Sequence, residues 1–256
     1  MPLLIGIAGF LLLLPFDGPL SHAASGAAAA LPGDLRRELH AWMQYGQGVS
    51  LALTAAAVWL LDPPRRRRLL DLLLAAGVAW VVSLSAKLLI GRPRPRPEFE
   101  DPNTFLGPMG VYPVSSGRAE GGWKLVHAWD GFLGGRQGEA GGGGTDLWSM
   151  PSSHTLMAMV LSVFLATVYP ALRWPAALLV LVVATGRVLF DAHWPTDVLV
   201  GACLGYAVGM LIIPRFRGVR ALDAFWRRAV NRGAVPSFPL AAADAAARQA
   251  AARANQ

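Results

Sequence analysis

Long apolar segments, each closed by a short polar turn, follow one another along most of the chain. The clearest covers residues 69–90, and shorter apolar runs cover 49–61, 155–169, 175–190 and 198–213. A helix needs about 20 predominantly apolar residues to cross the hydrocarbon core of a bilayer. With an N-terminal segment included, the pattern therefore predicts an all-α integral membrane bundle of about six transmembrane helices.

The N-terminal segment, residues 2–16, is apolar but short for a span, and small residues follow it at 21–30. It is either a first transmembrane helix extended by flanking residues or the core of a signal peptide. No Lys or Arg precedes the apolar stretch, which favours the retained helix. Residues 32–47 differ in kind, because apolar positions recur among charges at helical spacing, which is typical of an amphipathic helix at a membrane surface.

The composition supports a membrane protein. Hydrophobic residues make up 54% of the chain and charged residues only 15%, whereas soluble domains carry about a quarter charged residues. The net charge of +7 comes from basic residues beside apolar runs, which indicates topology signals and contact with anionic lipid rather than nucleic-acid binding. Cys203 is the single cysteine, so an internal disulfide is excluded.

Arginines mark alternate turns between the apolar segments. They lie at 65–68, at 173 and within 215–228, and the positive-inside rule places these turns in the cytoplasm. The polar clusters described below then share the external face, so they can converge on one site. We expect one transmembrane domain over residues 1–220, followed by a cytoplasmic C-terminal tail over 221–256.

The turn at residues 98–149 is long, and it is rich in Gly and Pro. A pure linker would not carry bulky aromatic side chains, yet this segment includes Trp123, Trp129 and Trp148. We therefore expect a partly ordered external loop that lies over the bundle or at the membrane surface.

The first polar cluster ends the clearest apolar segment. Six residues separate Lys87 from Arg94, and Pro95 follows; the prolines of this stretch are expected to stop the helix. Arginine offers a planar fork that matches two phosphate oxygens, and lysine offers a compact point charge. Cations snorkelling at a helix end would leave the same pattern, so this cluster alone is ambiguous.

The second cluster, Pro151-Ser152-Ser153-His154, opens an apolar helix. Either serine can cap the helix, whose free N–H groups form a ready anion site. The hydroxyls add donors, and His154 could give a proton to a leaving oxygen. A plain serine cap followed by an incidental histidine is the alternative.

The third cluster is the most specific. His193 follows Arg187 by six residues and precedes Asp197 by four. Pro195 suits the first turn of a helix, which puts Asp197 in that turn. Asp197 could then accept a hydrogen bond from one ring nitrogen of His193 and leave the other nitrogen free to attack. Asp191 is an alternative partner, and a purely structural His–Asp group is the alternative interpretation.

In this order the clusters resemble the type 2 phosphatidic acid phosphatase (PAP2) family of the acid phosphatase/vanadium haloperoxidase superfamily. The family pattern is Lys-x6-Arg-Pro, then Pro-Ser-Gly-His, then Ser-Arg-x5-His-x3-Asp. The resemblance covers roughly residues 70–213. Ser153 stands where the family usually has Gly, and Gly186 stands where it usually has Ser.

The resemblance implies a membrane phosphatase for lipid phosphates or diphosphates that works through a phosphohistidine at His193. Asp197 would orient that histidine, and His154 would protonate the leaving group. No metal or other cofactor is implied, because cations would stabilise the charge of the phosphoryl group. The residues implied to hold the phosphate oxygens are Lys87, Arg94, Ser152, Ser153 and Arg187.

Several questions stay open at this stage. The candidate substrates are undecaprenyl diphosphate, phosphatidic acid, phosphatidylglycerol phosphate and lipid A phosphates, in a bacterial inner membrane with the site on the periplasmic face. A vanadate-dependent haloperoxidase shares the anion pocket, but such enzymes are soluble. A transporter or lipid-binding protein would hold phosphate without turnover, but binding alone needs no nucleophile. We expect no nucleic-acid partner, and the oligomeric state is open.

Overall fold

Helices make up most of the described chain. The computed structural model describes residues 2–95, 103–115, 123–132 and 144–233, so most of the expected C-terminal tail and parts of the 98–149 loop lie outside the described residues. The α-helices in chain order are α1 (Pro2–Leu13), α2 (Asp17–Ala29), α3 (Gly33–Trp42), α4 (Gly48–Leu61), α5 (Leu69–Ile90), α6 (Ser153–Val168), α7 (Arg173–Leu189), α8 (Pro195–Ile212) and α9 (Arg217–Ala229).

The core of the bundle surrounds α6, which packs against α5, α7 and α8. Leu156, Leu161 and Phe164 of α6 are fully buried there. This architecture confirms the predicted all-α membrane bundle. Two shorter apolar helices, α4 and α6, accompany four helical stretches that are long and apolar enough to cross a membrane: Gly6–Ala29, Pro63–Ile90, Pro170–Leu189 and Pro195–Ile212.

A stripe of glycines on α8 sets the distance between α8 and α6. Gly201, Gly205 and Gly209 are four residues apart. A Cβ at Gly201 would lie 2.6 Å from the carbonyl oxygen of Ser152, just before α6, and a Cβ at Gly205 would lie 2.3 Å from that of Leu156 in α6. Small residues at this spacing let two membrane helices approach closely. The contact brings the first turns of α6 and α8 together, and these turns carry His154 and Asp197.

The N-terminal segment packs against the bundle. A Cβ at Gly6 or Gly9 of α1 would meet the side chains of Cys203 and Leu199, so α1 lies directly along α8. One 3-10 turn, Leu14–Phe16, connects α1 to α2. The small residues at 21–30 are thus largely helical, a point that the sequence left open.

The contacts of α2 lie at one end of the bundle. Asp17 at its start bonds to Thr196, and Ser25, two turns later, bonds to Asp191. Thr196 and Asp191 both lie around the turn between α7 and α8. The amphipathic helix expected within residues 32–47 follows as α3, and its His40 ring stacks on Phe190 at the same end, with the ring centroids 4.1 Å apart.

The three arginine-bearing turns share the opposite end of the bundle, here called the arginine end. Arg68 donates to the carbonyl of Ile213 over 2.8 Å. The guanidinium of Arg65 lies 5.2 Å from the ring centroid of Tyr169, beside the turn that carries Arg173. The polar clusters of the sequence lie at the other end, here called the motif end.

At the arginine end, Asp71 of α5 accepts hydrogen bonds from the backbone N–H groups of Gly218 and Val219, the start of α9. Because α9 spans Arg217–Ala229, the expected boundary between domain and tail at residues 220 and 221 falls inside this helix.

The described parts of the 98–149 loop are folded. An antiparallel hairpin pairs β1 (Val111–Ser115) with β2 (Trp123–His127), and the all-α prediction did not include it. The indole N–H of Trp148 donates to the carbonyl of Ala128 over 2.8 Å, and Val126, Ala128 and Leu147 form a small buried cluster. Aromatic and aliphatic packing therefore gives this loop the partial order that its tryptophans predicted.

Candidate active site

The first cluster lies at the end of α5 and in the chain that follows it. Gly91 follows α5 in the left-handed conformation, with φ +56°, and a Cβ there would lie 2.7 Å from the carbonyl oxygen of Gly107. Glycine is the usual residue at such a helix end. The helix therefore ends before Pro93, whereas the sequence analysis expected the prolines themselves to stop it.

Lys87 and Arg94 both reach segments that carry the other clusters. Lys87 is buried near the end of α5 and donates to the carbonyl of Trp148. Arg94 donates to the carbonyl of Ala192 over 2.9 Å and to that of Thr145 over 3.3 Å. The two cations are thus fixed beside the chain that leads into α6 and the turn that carries His193.

Ser152, not Ser153, caps α6. Its Oγ accepts from the N–H and the hydroxyl of Thr155, over 3.5 and 3.1 Å. The backbone N–H of Ser152 donates to the carbonyl of Asp197 over 3.1 Å, which ties the starts of α6 and α8 together. The free N–H groups of this helix start remain at the motif end, as an anion site requires.

Ser153 has a partner that the sequence pattern did not predict. Its Oγ lies 2.9 Å from the Oγ of Ser83 on α5, and Ser83 is only 4% exposed. A serine at the family's usual glycine position is therefore accommodated by a second hydroxyl on the facing helix. The spacing of two serines 70 residues apart carries no signal of this pairing.

This pair predicts coupled effects on stability. We expect Ser83→Ala and Ser153→Gly each to lower the free energy of unfolding by about 1 kcal/mol, because each leaves one hydroxyl without its partner. The double variant should lose less than the sum, since removal of both partners leaves nothing unpaired. Thermal unfolding in detergent measures this, with exposed Ser85→Ala as the control. Fully additive losses would show that the two hydroxyls are not coupled.

The glycine at 186 also has a local explanation. A Cβ at this position would lie 2.6 Å from the Sδ of Met43, a buried residue of the 3-10 turn Met43–Gly46. The family's usual serine would require the Met43 side chain to move. Gly186 is therefore matched to the segment that follows α3.

The same segment places Gln47 on His154. The Nε2 atoms of Gln47 and His154 are 3.0 Å apart. Gly46 lies so close to α6 that a Cβ there would be 2.3 Å from the carbonyl oxygen of His154. Gln47 was not among the expected site residues, because a single glutamine after an amphipathic segment has no distinctive pattern.

His193 lies in the turn between α7 and α8 and is 1% exposed. Its backbone N–H donates to the carbonyl of Arg187 over 3.1 Å. Its Nδ1 lies 3.8 Å from Oδ2 of Asp197, a separation within ion-pair range but too long for a hydrogen bond. The alternative partner, Asp191, instead accepts from Ser25.

Asp197 is in the first turn of α8, as Pro195 predicted. Its Oδ2 accepts from the backbone N–H of Trp194 over 2.9 Å and from the hydroxyl of Ser149. Its Oδ1 accepts from Arg92 over 2.6 Å. The carboxylate is therefore held in place from both sides, while Oδ2 faces His193.

Positive charge surrounds the His193 imidazole. Burial and the cations Arg94, Lys87 and Arg187 hold the pKa of His193 well below its usual range. The ring is therefore neutral near pH 7, the form that can act as a nucleophile.

No group of three or more His, Cys, Asp and Glu side chains that could hold a metal ion occurs within the described ranges.

Arg92 and Asp17 also lie at the motif end, although neither was among the expected site residues. Arg92 is fully buried and pairs with Asp17 and Asp197 over 2.7 and 2.6 Å. Only Arg94 fits the Lys-x6-Arg-Pro pattern, so Arg92 was not assigned a role in the site. One signal did exist: an acidic residue within an apolar segment, such as Asp17, usually faces the interior of a bundle and has a function there.

Comparisons with known proteins identify the family and the fold. The PAP2 superfamily model matches residues 68–220. Aquifex aeolicus LpxE has a similar structure, with a TM-score of 0.53 and 18% identity over 77% of this chain and 94% of LpxE. The first transmembrane PAP2 type phosphatidylglycerolphosphate phosphatase from Bacillus subtilis is also similar, with a TM-score of 0.51 and 18% identity over 88% and 98% of the two chains. No curated protein matches this chain.

The match to the superfamily covers more than half of the chain. It includes all three polar clusters, which the fold brings to one end of a membrane bundle. The two solved structures share that fold across most of their own lengths. The chain therefore belongs to the PAP2 superfamily.

Proposed function

We propose that this enzyme hydrolyses a lipid phosphate or diphosphate through a phosphohistidine formed on His193. One observation carries the proposal: Arg187 Nε, at the motif end, is buried without a hydrogen-bond partner among the described residues. Buried polar groups are nearly always paired. The guanidinium of Arg187 lies beside the neutral, buried imidazole of His193. A phosphate oxygen bound there would accept a hydrogen bond from the unsatisfied N–H.

In the proposed first step, the phosphoryl group lies among Lys87, Arg94 and Arg187, with the start of α6 donating to its oxygens. His193 Nε2 attacks phosphorus, the bond between phosphorus and the leaving oxygen breaks, and its electron pair stays on that oxygen. The negative charge of the substrate favours protonated His154, which gives its proton to the leaving group. Gln47 must release the His154 ring for this transfer.

In the second step, His154 takes a proton from water, and the resulting hydroxide displaces His193 from phosphorus to release phosphate. During both steps, Asp197 balances the charge that develops on His193. Their resting separation of 3.8 Å would shorten on binding, since catalytic hydrogen bonds are often long in free enzymes.

An apolar cavity supports a lipid as the substrate. It has a volume of about 340 Å³ and lies between α1 and α8. Met150, one of its lining residues, directly precedes the second cluster, so a hydrocarbon chain in the cavity would have its head group beside the site. The other lining residues are Gly6, Ile7, Phe10, Val200, Cys203 and Leu204.

Substrate length tests this proposal. We expect catalytic efficiency to rise at least about 10-fold from a short-chain soluble phosphate to a long-chain lipid in mixed micelles, since each buried CH₂ contributes about 0.8 kcal/mol. The panel includes undecaprenyl diphosphate, phosphatidic acid, phosphatidylglycerol phosphate and lipid A phosphates. Vanadate should compete with each of them, and EDTA should have no effect. Equal efficiency for short and long chains would contradict the lipid substrate.

The proposal also places the motif end on the external face of a bacterial inner membrane. In a Cys203→Ala background, an impermeant maleimide added to intact cells should label Met109→Cys but not Arg65→Cys. Both positions are exposed to solvent in the structure. The reverse labelling would put the site on the cytoplasmic face.

A further inference from the structure

Three fully buried charges lie beside the proposed nucleophile. Arg92, Asp17 and Asp197 are each 0% exposed. Arg92 Nη2 lies 2.7 Å from Asp17 Oδ2, and Arg92 Nη1 lies 2.6 Å from Asp197 Oδ1. One guanidinium therefore joins the N-terminal segment to the carboxylate that faces His193.

Thr196 completes this network. Its backbone N–H donates to Asp17 Oδ1 over 2.9 Å, and its hydroxyl donates to Asp17 Oδ2. Arg92 Nη1 also lies 2.7 Å from the hydroxyl oxygen of Thr196. Asp17 is thereby fixed to the first turn of α8, one residue from Asp197.

Arg92 donates to two different carboxylates, and this arrangement affects the orientation of Asp197. An arginine that faces a single carboxylate tends to form two parallel hydrogen bonds, one to each oxygen. Here Nη2 donates to Asp17, and Nη1 donates to Oδ1 of Asp197. Oδ2 of Asp197 stays with Trp194 and Ser149 and remains on the side of His193.

We infer that Asp17 is a positioning residue for the phosphatase reaction, acting on Asp197 through Arg92. The inference rests on the proposed function, in which Asp197 balances the charge on His193. Without Asp17, Arg92 would be drawn to both oxygens of Asp197 and would turn that carboxylate away from the histidine. The N-terminal segment is then part of the working enzyme, not a removable signal peptide.

The test compares Asp17→Asn with a matched variant at the arginine end. Asp71 is also fully buried and lies 2.7 Å from Arg68, but it caps α9, far from the motif end. Both variants should lower the melting temperature, since each removes one charge of a buried pair. Only Asp17→Asn should lower kcat per folded molecule, by about 10- to 100-fold with KM nearly unchanged, because small displacements of catalytic groups have effects of this size.

A double variant keeps the inference testable if Asp17→Asn does not fold. Asp17→Asn with Arg92→Met removes one charge of each sign, so the cluster keeps its net charge, and Asp197 keeps its hydrogen bonds from Trp194 and Ser149. Replacing both members of a buried pair is often neutral for stability. This variant should fold, and its kcat should equal that of Arg92→Met alone, because Asp17 acts on Asp197 only through Arg92.

The outcomes separate the two proposals. Wild-type turnover of lipid phosphates is measured first, and its absence would refute the proposed function together with this inference. Wild-type turnover combined with unchanged kcat in Asp17→Asn would overturn the positioning role alone, and so would a kcat of the double variant well below that of Arg92→Met. A loss of kcat in Asp71→Asn equal to that in Asp17→Asn would show a general effect of destabilisation and would also overturn it.

Discussion

His193→Ala should abolish steady phosphatase turnover while the protein still folds. Loss of a nucleophile typically lowers kcat by about 10⁴- to 10⁶-fold. Folding should survive because Nδ1 of His193 has no hydrogen-bond partner among the described residues, so its removal leaves no donor or acceptor orphaned there. Turnover of a long-chain lipid phosphate measures the loss, and size-exclusion chromatography reports folding.

The matched control is His22→Ala, a solvent-exposed histidine of α2, which should keep wild-type turnover. A second measurement addresses the intermediate itself. Radiolabelled substrate should leave an acid-labile, alkali-stable phosphoryl group on the wild type, but none on His193→Ala. Substantial steady turnover by His193→Ala would remove the phosphohistidine mechanism from consideration.

Gly205→Val should prevent the bundle from assembling. A Cβ at this position would lie 2.3 Å from the carbonyl oxygen of Leu156, and backbone atoms on two packed helices cannot move apart locally. Overpacking a core usually costs about 1–3 kcal/mol, and a collision with backbone should exceed that range. The yield of monodisperse protein and its melting temperature measure the effect.

Gly77→Val on α5 provides the control, because a Cβ at Gly77 would meet nothing within 4 Å. It should purify with a melting temperature close to that of the wild type. If Gly205→Val gave the same result, the close approach of α6 and α8 would not be needed to build the motif end.

Hydropathy predicted the helices well because it reports transfer out of water, which is what a membrane span requires. The helix expected at residues 69–90 has those bounds as α5. Pro195 likewise placed Asp197 correctly in the first turn of α8. These features depend on a residue and its immediate neighbours along the chain.

Pairings between distant residues could not be predicted in this way. Gln47 meets His154 across 107 residues, and Ser83 meets Ser153 across 70. Hydropathy predicts that such side chains lie in or near the bundle, but it does not predict which helix faces contact each other. The β1–β2 hairpin was missed for a related reason, since Gly-rich segments hid two short strands in a loop.

The order of synthesis determines when the contacts of Asp17 can form. Asp17 leaves the ribosome 179 residues before Thr196. At about 5–20 residues per second this interval is roughly 10–40 s. During that time α2 carries a carboxylate whose partners on α8 do not yet exist, so its docking must come late in assembly. The segment that is made first is therefore among the last to reach its native contacts.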